Sequence, residues 1–267
     1  MTQEGDLPMS DKTDALMVIS HVTFDYDPQD ETTRALDDVS LTIREGDFVC
    51  MLGPSGCGKS TLLSVMAGLR EPTRGSITFR GQDAEGIDYR RAVIFQQPVL
   101  YPWMSTYDDI AFGPRVRGVD HDETRRRVEK YVDLVGLAEF ADRPPYELSG
   151  GMRQRAALAR ELVNDPNMIL LDEPFGALDA LTRVNMQGLL RDIWMRDNRT
   201  VFLITHDVDE ALMLGTRVFV MSSRPGRIIR EETCDFTQSV EAGDKDVMYS
   251  EGYLRLRRGI LEAVSSE

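Results

Sequence analysis

From Met17 the chain alternates apolar and polar residues through VISHVTFDY and again through ALDDVSLTIREGDFVCML, and both stretches are rich in β-branched side chains. That short period predicts strands. The second stretch ends in a glycine-rich turn and runs into STLLSVMAGL, where Leu62, Leu63 and Met66 recur at helical spacing. GSITFRG predicts a short hairpin strand and AVIF a buried one. Between residues 98 and 165 the pattern changes, punctuated by Pro98, Pro102, Pro114, Pro144 and Pro145. Here HDETRRRVEKYVDLVGL sets Val128, Tyr131, Val132 and Val135 on one helical face. The stretch reads as a helical insertion. MILLDEP and TVFLITHD are apolar runs of strand length, separated by an amphipathic helix with Leu178, Leu181, Leu189 and Ile193 as its apolar side. RVFVMSSRPGRIIREE predicts a closing hairpin and GYLRLRRGILEAV a last helix. Strands alternating with helices imply a mainly parallel sheet in an α/β fold.

Composition narrows the class. At 267 residues the chain makes one large domain or two smaller ones. With 42% apolar and 28% charged residues it has ample material for a core. The longest unbroken apolar runs, Phe48 to Leu52 among them, fall far short of the ~20 residues of a membrane helix. The first residues, MTQEGDLPMSDKTD, are acidic and lack the apolar stretch of a secretory signal. Cys50, Cys57 and Cys234 are too few for a disulfide framework and fit a reducing cytoplasm. Acids outnumber bases 45 to 31, for a net charge of −14, which argues against a nucleic-acid partner. The bases are almost all arginine, with lysine only at positions 12, 59, 130 and 245. An arginine-favouring source composition accounts for that, with salt adaptation as the alternative.

Three short segments carry chemistry. GPSGCGKST, residues 53–61, fits the phosphate-binding pattern G-x-x-x-x-G-K-[ST] and lies between a strand and a helix. Gly53, Gly56 and Gly58 let the backbone curl so that its N–H groups point inward, and the following helix offers its positive end. Lys59 supplies a point charge to the β- and γ-phosphates, and the Ser60 hydroxyl suits Mg²⁺. Cys57 reads as a tolerated loop residue. In MILLDEP, alternation sends Asp172 and Glu173 to different sides of the strand end. One can hold Mg²⁺ through water while the other polarises a water near the γ-phosphate, though two such acids could equally cap the next helix. In LSGGMRQRAALAR, residues 148–160, Ser149 is a good helix N-cap, or with two glycines a second phosphate grip.

Two phosphate-gripping segments flanking a helical insertion resemble the ATP-binding-cassette (ABC) ATPases. The matching residues run in order over about 200 positions: GPSGCGKST, Gln96 in VIFQQP, LSGGMRQR, MILLDEP, GALD at 176–179 and His206 in ITHD. The resemblance implies a P-loop NTPase (RecA-like) core with a mainly parallel sheet, an antiparallel β subdomain and an inserted α-helical subdomain. The division expected is a disordered lead-in over 1–15, a core from 16–97 and 161–230, a helical subdomain over 98–160 and an extension over 231–267.

The same resemblance implies roles. Tyr26 in VTFDY would stack on adenine, with Phe24 the neighbouring candidate. Gly53, Pro54, Ser55, Gly56, Cys57, Gly58, Lys59, Ser60 and Thr61 would wrap the phosphates. Gln96, rather than Gln97, would approach Mg²⁺ and the attacking water; Asp172 would support Mg²⁺; Glu173 would be the general base. His206 would contact the γ-phosphate and brace Glu173, whereas His21 and His121 read as surface residues. Ser149, Gly150 and Gly151 would grip, in trans, the ATP held by a second ATPase subunit arranged head to tail, with Asp179 communicating across that interface.

A single ATPase unit without a membrane span is similar to the importers whose permease is a separate polypeptide. QPVLYPWMSTYDDIAFGPRVRG, with its Tyr101-Pro102-Trp103, and MSSRPGRIIRE resemble the nitrate/sulfonate/taurine group. The partners this implies are a second, identical ATPase subunit, a transmembrane permease and, indirectly, a solute-binding protein. The location implied is the cytoplasmic face of the membrane. Three other readings compete: an ABC system for another cargo or for export, a soluble cassette working on DNA or ribosomes, and a nucleotide sensor without turnover. The second would want paired cassettes, a coiled coil or zinc-type cysteines, and the sequence carries none of these.

Overall fold

A computed structural model describes residues 15–241 and 246–265. The expected lead-in lies outside them except for Ala15, which already belongs to a strand. The chain opens with β1 (Ala15–Asp25), β2 (Arg34–Arg44) and β3 (Phe48–Leu52), then the helix α1 (Lys59–Met66). Next come β4 (Arg74–Phe79), β5 (Gln82–Asp83) and β6 (Arg91–Ile94). The helices α2 (Thr106–Val116), α3 (His121–Leu134) and α4 (Gly150–Leu162) follow, and lead into β7 (Met168–Asp172). α5 (Ala180–Asp197), β8 (Thr200–Ile204), α6 (Val208–Leu214), β9 (Arg217–Met221) and β10 (Ile228–Thr233) complete the core. The extension carries α7 (Phe236–Glu241) and α8 (Glu251–Ser265).

Two sheets form. One is antiparallel, in the order β2-β1-β4-β5. The other runs β10-β9-β3-β8-β7-β6 and is parallel except for its β10 edge. The central strands of the second sheet read as unbroken apolar runs because both of their faces are buried. In β3, Phe48, Cys50 and Leu52 face the helices, while Val49 and Met51 face the antiparallel sheet. The same alternation holds in β8, with Val201 and Leu203 on one side and Phe202 and Ile204 on the other. The molecule therefore has two cores sharing one sheet.

Three expectations change. The run ALDDVSLTIREGDFVCML is two strands, not one. It breaks at Glu45–Asp47, where the Asp47 carboxylate accepts the Arg44 N–H at 3.0 Å, and β2 and β3 join different sheets. The helix α2 was hidden by Pro114, which lies in its last turn and removes only one helical donor there. The buried face of α5 is Met186, Leu190 and Ile193; Ile193 lies there as expected and Leu178 and Leu189 pack against the same core, whereas Leu181 is exposed and leaves the expected apolar side.

Arg91 joins the layers. It is buried at the start of β6, and its guanidinium donates to the carbonyls of Met66 (2.9 Å), Ala84 (3.3 Å) and Gly86. Met66 ends α1, so the cation closes the negative end of that helix. Replacing it with an apolar residue takes the donor from three carbonyls and leaves that of buried Met66 without a partner. Arg91→Met is expected to lower unfolding free energy by about 2–4 kcal/mol in urea titration. A loss below about 0.5 kcal/mol would mean water replaces the cation without cost.

Candidate functional site

The parallel register brings four strand ends to one level. Met51 lies opposite Ile204, Asp172 opposite Ile204, and Ile94 opposite Leu171. The segments that follow these strands hold the phosphate loop, the two acids, His206 and Gln96.

The loop after β3 wraps toward α1. Gly58 sits at φ 108°, and a Cβ there would lie 2.6 Å from the Ala35 carbonyl oxygen, so glycine is required on both counts. Gly58 also caps α1 without any side-chain acceptor. The helices α2 to α6 are each capped by a side chain: Ser105, Asp120, Ser149, Asp179 and Asp207. The first-turn N–H groups of α1 are thus left for an anion. Lys59 is buried, and its ammonium donates to the carbonyls of Gly53 and Pro54, both at 2.8 Å. Cys57 lies in the loop as expected, is 1% exposed, and packs in the core beneath it.

Ser60 Oγ donates to Asp172 Oδ1 at 3.1 Å. Burial raises the Asp172 carboxyl above the ordinary range, and neighbouring Glu173 pushes the same way. A hydroxyl and a half-buried carboxylate are hard oxygen donors of the kind Mg²⁺ takes. The two acids separate as alternation predicts, but a backbone turn accounts for it. Glu173 stands at φ 45°, in the left-handed region, with its N–H bonded to the Ile204 carbonyl at 3.0 Å. Its carboxylate meets Gln96 Nε2 at 3.5 Å and His206 Nδ1 at 3.4 Å, through the same oxygen. Beside it lies a cavity with room for about one water, lined by Glu173, Phe175, Gly176, Arg183, Thr205, His206, Asp207 and Glu210. Glu210 lies outside the quoted sequence motifs. It is buried, burial raises its carboxyl above the ordinary range, and its position four residues after His206 was the available signal.

A second cluster forms at the starts of α4 and α5. Ser149 Oγ accepts the Met152 N–H at 3.3 Å, so it does cap α4. Asp179 accepts the Thr182 N–H at 3.0 Å and the Thr182 hydroxyl at 2.7 Å, and these bonds hold its carboxyl below the usual range. The Thr182 methyl in turn sits where a Cβ on Gly151 would come within 2.5 Å, whereas Gly150 faces open space. Ser149, Gly150, Gly151 and Asp179 therefore share one surface. Toward the N-terminus, Tyr26 is 54% exposed and Phe24 only 7%, their rings edge to face at 5.3 Å. Tyr26 Oη lies 3.0 Å from Thr61 Oγ1, which ties the ring to α1. His21 and His121 lie on the surface, away from these groups.

The family model described as ABC transporter matches residues 36–176. The taurine import ATP-binding protein TauB of Ruegeria pomeroyi is 46% identical over 248 residues, 92% of this chain and 92% of its own. TauB of Pelagibacter ubique is 44% identical over 89% of this chain and 90% of its own. Among solved structures, cbiO1 from Clostridium perfringens, part of the ABC transporter complex cbiONQ, superposes with a TM-score of 0.76 at 29% identity, covering 92% of this chain and 97% of that one. The ATP-binding cassette MJ0796, in a dimeric post-hydrolysis state bound to ADP and Pi, gives a TM-score of 0.71 at 33% identity, covering 82% and 99%.

A left-handed Glu173 carries a backbone cost that asparagine largely avoids. Glu173→Asn is expected to leave the melting temperature unchanged or raise it by about 2 °C in calorimetry. A drop of several degrees would show that the carboxylate's contacts outweigh the strain.

Proposed function

The chain belongs to the ABC transporter family of ATP-binding proteins, and from that membership we propose that it is the ATP-hydrolysing subunit of an importer for taurine or a related small organic anion. The observation that carries the chemistry is the convergence of Gln96 and His206 on one oxygen of Glu173, beside the Ser60–Asp172 pair. The taurine reading draws on relatives that match along nearly the whole chain.

In this reading the phosphates of ATP enter the loop 53–61 and take the uncapped N–H groups of α1. The Lys59 ammonium exchanges the carbonyls of Gly53 and Pro54 for β- and γ-phosphate oxygens. Mg²⁺, held by Ser60, Asp172 and Gln96, would neutralise charge on those phosphates. Gln96 orients the attacking water and Glu173 accepts its proton. His206 holds the γ-phosphate side and keeps the Glu173 carboxylate turned inward. The exposed ring of Tyr26, rather than buried Phe24, is available for adenine.

The surface shared by Ser149, Gly150, Gly151 and Asp179 completes the site of a second, identical chain placed head to tail. The permease is received by the loop after Gln96. There Trp103 is 75% exposed and clusters with Tyr101 at 5.4 Å, which in turn meets Phe112 at 5.0 Å. A solute-binding protein acts on the far side of that permease. Among the described residues no helix is long and apolar enough to cross a membrane; in this reading the subunit is held at the cytoplasmic face by its permease.

Glu173→Gln is expected to abolish turnover and accumulate an ATP-bound dimer in light scattering, and adding Ser149→Arg to dissolve it. A double variant that stays dimeric in ATP would remove Ser149 from the interface. In the complex with its permease and binding protein, taurine is expected to stimulate ATP hydrolysis; stimulation by nitrate alone would move the cargo elsewhere in the group. Trp103→Ala is expected to weaken co-purification with the permease while leaving ATP affinity intact, and equal loss of both would mean that the substitution disturbs the fold and not a permease contact.

A further inference from the structure

The extension has no part in the chemistry above, yet its last helix reaches the segment that carries His206. Tyr253 in α8 is 1% exposed, with its ring 5.2 Å from that of Phe236. Its hydroxyl donates to Asp209 Oδ1 at 2.8 Å. One turn on, Arg257 donates through Nε to Asp209 Oδ1 at 2.7 Å and through Nη2 to Oδ2 at 3.1 Å. Residues four apart share a helix face, so α8 presents both donors to one carboxylate.

Asp209 lies in the first turn of α6, three residues after His206. The rest of that turn is also tied down. The Thr205 hydroxyl accepts the Asp207 N–H at 3.1 Å, and Asp207 Oδ1 accepts the N–H groups of Asp209 (2.9 Å) and Glu210 (3.1 Å). Glu210 Oε1 accepts Gln187 Nε2 of α5 at 2.7 Å. The segment from Thr205 to Glu210 is therefore held from two sides, by α5 through Glu210 and by α8 through Asp209. The His206 side chain is 67% exposed and meets Glu173 at 3.4 Å. Its direction is set mainly by the backbone on which it stands.

We propose that α8, through Tyr253, Arg257 and Asp209, is a positioning clamp for His206, so that the extension acts on ATP hydrolysis without touching nucleotide. This rests on the role given to His206 above. A purely structural α8 would affect stability and leave the turnover of folded protein alone. The clamp acts on how one imidazole braces Glu173, whereas ATP affinity rests chiefly on the loop 53–61, so loss of the clamp reads in kcat and not in KM.

The test uses the full chain assembled with its permease. Tyr253→Phe removes one hydroxyl, Arg257→Gln one charge, and Arg257→Lys restores the charge without the fork. The Tyr253→Phe/Arg257→Gln pair is expected to lower kcat about two- to fivefold, the range of a partly exposed ion-pair network, with KM for ATP unchanged. Amide exchange over residues 205–212 should quicken while that over 53–61 does not, and Arg257→Lys should recover part of kcat. In a His206→Ala background, followed by single-turnover hydrolysis, the pair should cost nothing further. Unchanged kcat, a parallel rise in KM, or the same fold loss without His206 would each overturn the clamp. Wild-type turnover by His206→Ala would instead overturn the role given to His206, and the exchange rates would then judge the clamp alone.

Discussion

Parallel pairing of β3, β8, β7 and β6 is the constraint on which the site depends. A parallel sheet aligns the carboxyl ends of its strands on one edge, and ligands of open α/β sheets bind there. Here that edge receives the phosphate loop, Gln96, the Asp172–Glu173 pair and His206 from four strands far apart in sequence. The strands are held in register by burial on both faces, with alternate residues feeding two cores. Nothing in the site needs a side chain to reach far, because the backbone has already delivered each group.

Two local departures from regular structure fall at this edge. The helix α1 lacks the side-chain cap that α2 to α6 possess, which leaves its N–H groups for phosphate. Glu173 accepts a left-handed backbone, which turns its carboxylate toward Gln96 and His206 while Asp172 turns to Ser60. Each costs stability locally, and each belongs to the chemistry. The net charge of −14 fits the same picture. The field that receives a polyphosphate is local, supplied by Lys59 and a helix end beside the Asp172–Glu173 pair, and exposed acids beyond about a Debye length are screened.

Much of this was legible in the chain. Doubly buried strands announce themselves as apolar runs, and the groups that meet at the edge lie in short segments whose residue types have few other uses. What was not legible depended on distant partners. The break at Glu45–Asp47 is a change of sheet, which alternation does not register. Pro114 suggested an interruption where it only trims a last turn. The buried face of α5 is set by what packs on Met186, Leu190 and Ile193, and the exposed side, with Leu181 and the Thr182 that meets Gly151, belongs to another surface. The grip of Tyr253 and Arg257 on Asp209 spans more than forty positions and leaves no local pattern.

The claim at the centre is that each hydrolytic site is built from two chains, the edge of one and the Ser149 surface of the other. Mixing Glu173→Gln chains with Ser149→Arg chains tests it directly. Each variant alone is expected to be inactive, while a mixed dimer keeps one site with both Glu173 and Ser149 intact. Turnover in an equal mixture should recover toward about a quarter of wild type, since half the dimers are mixed and each has one good site of two. A mixture no more active than either variant alone would contradict the two-chain site.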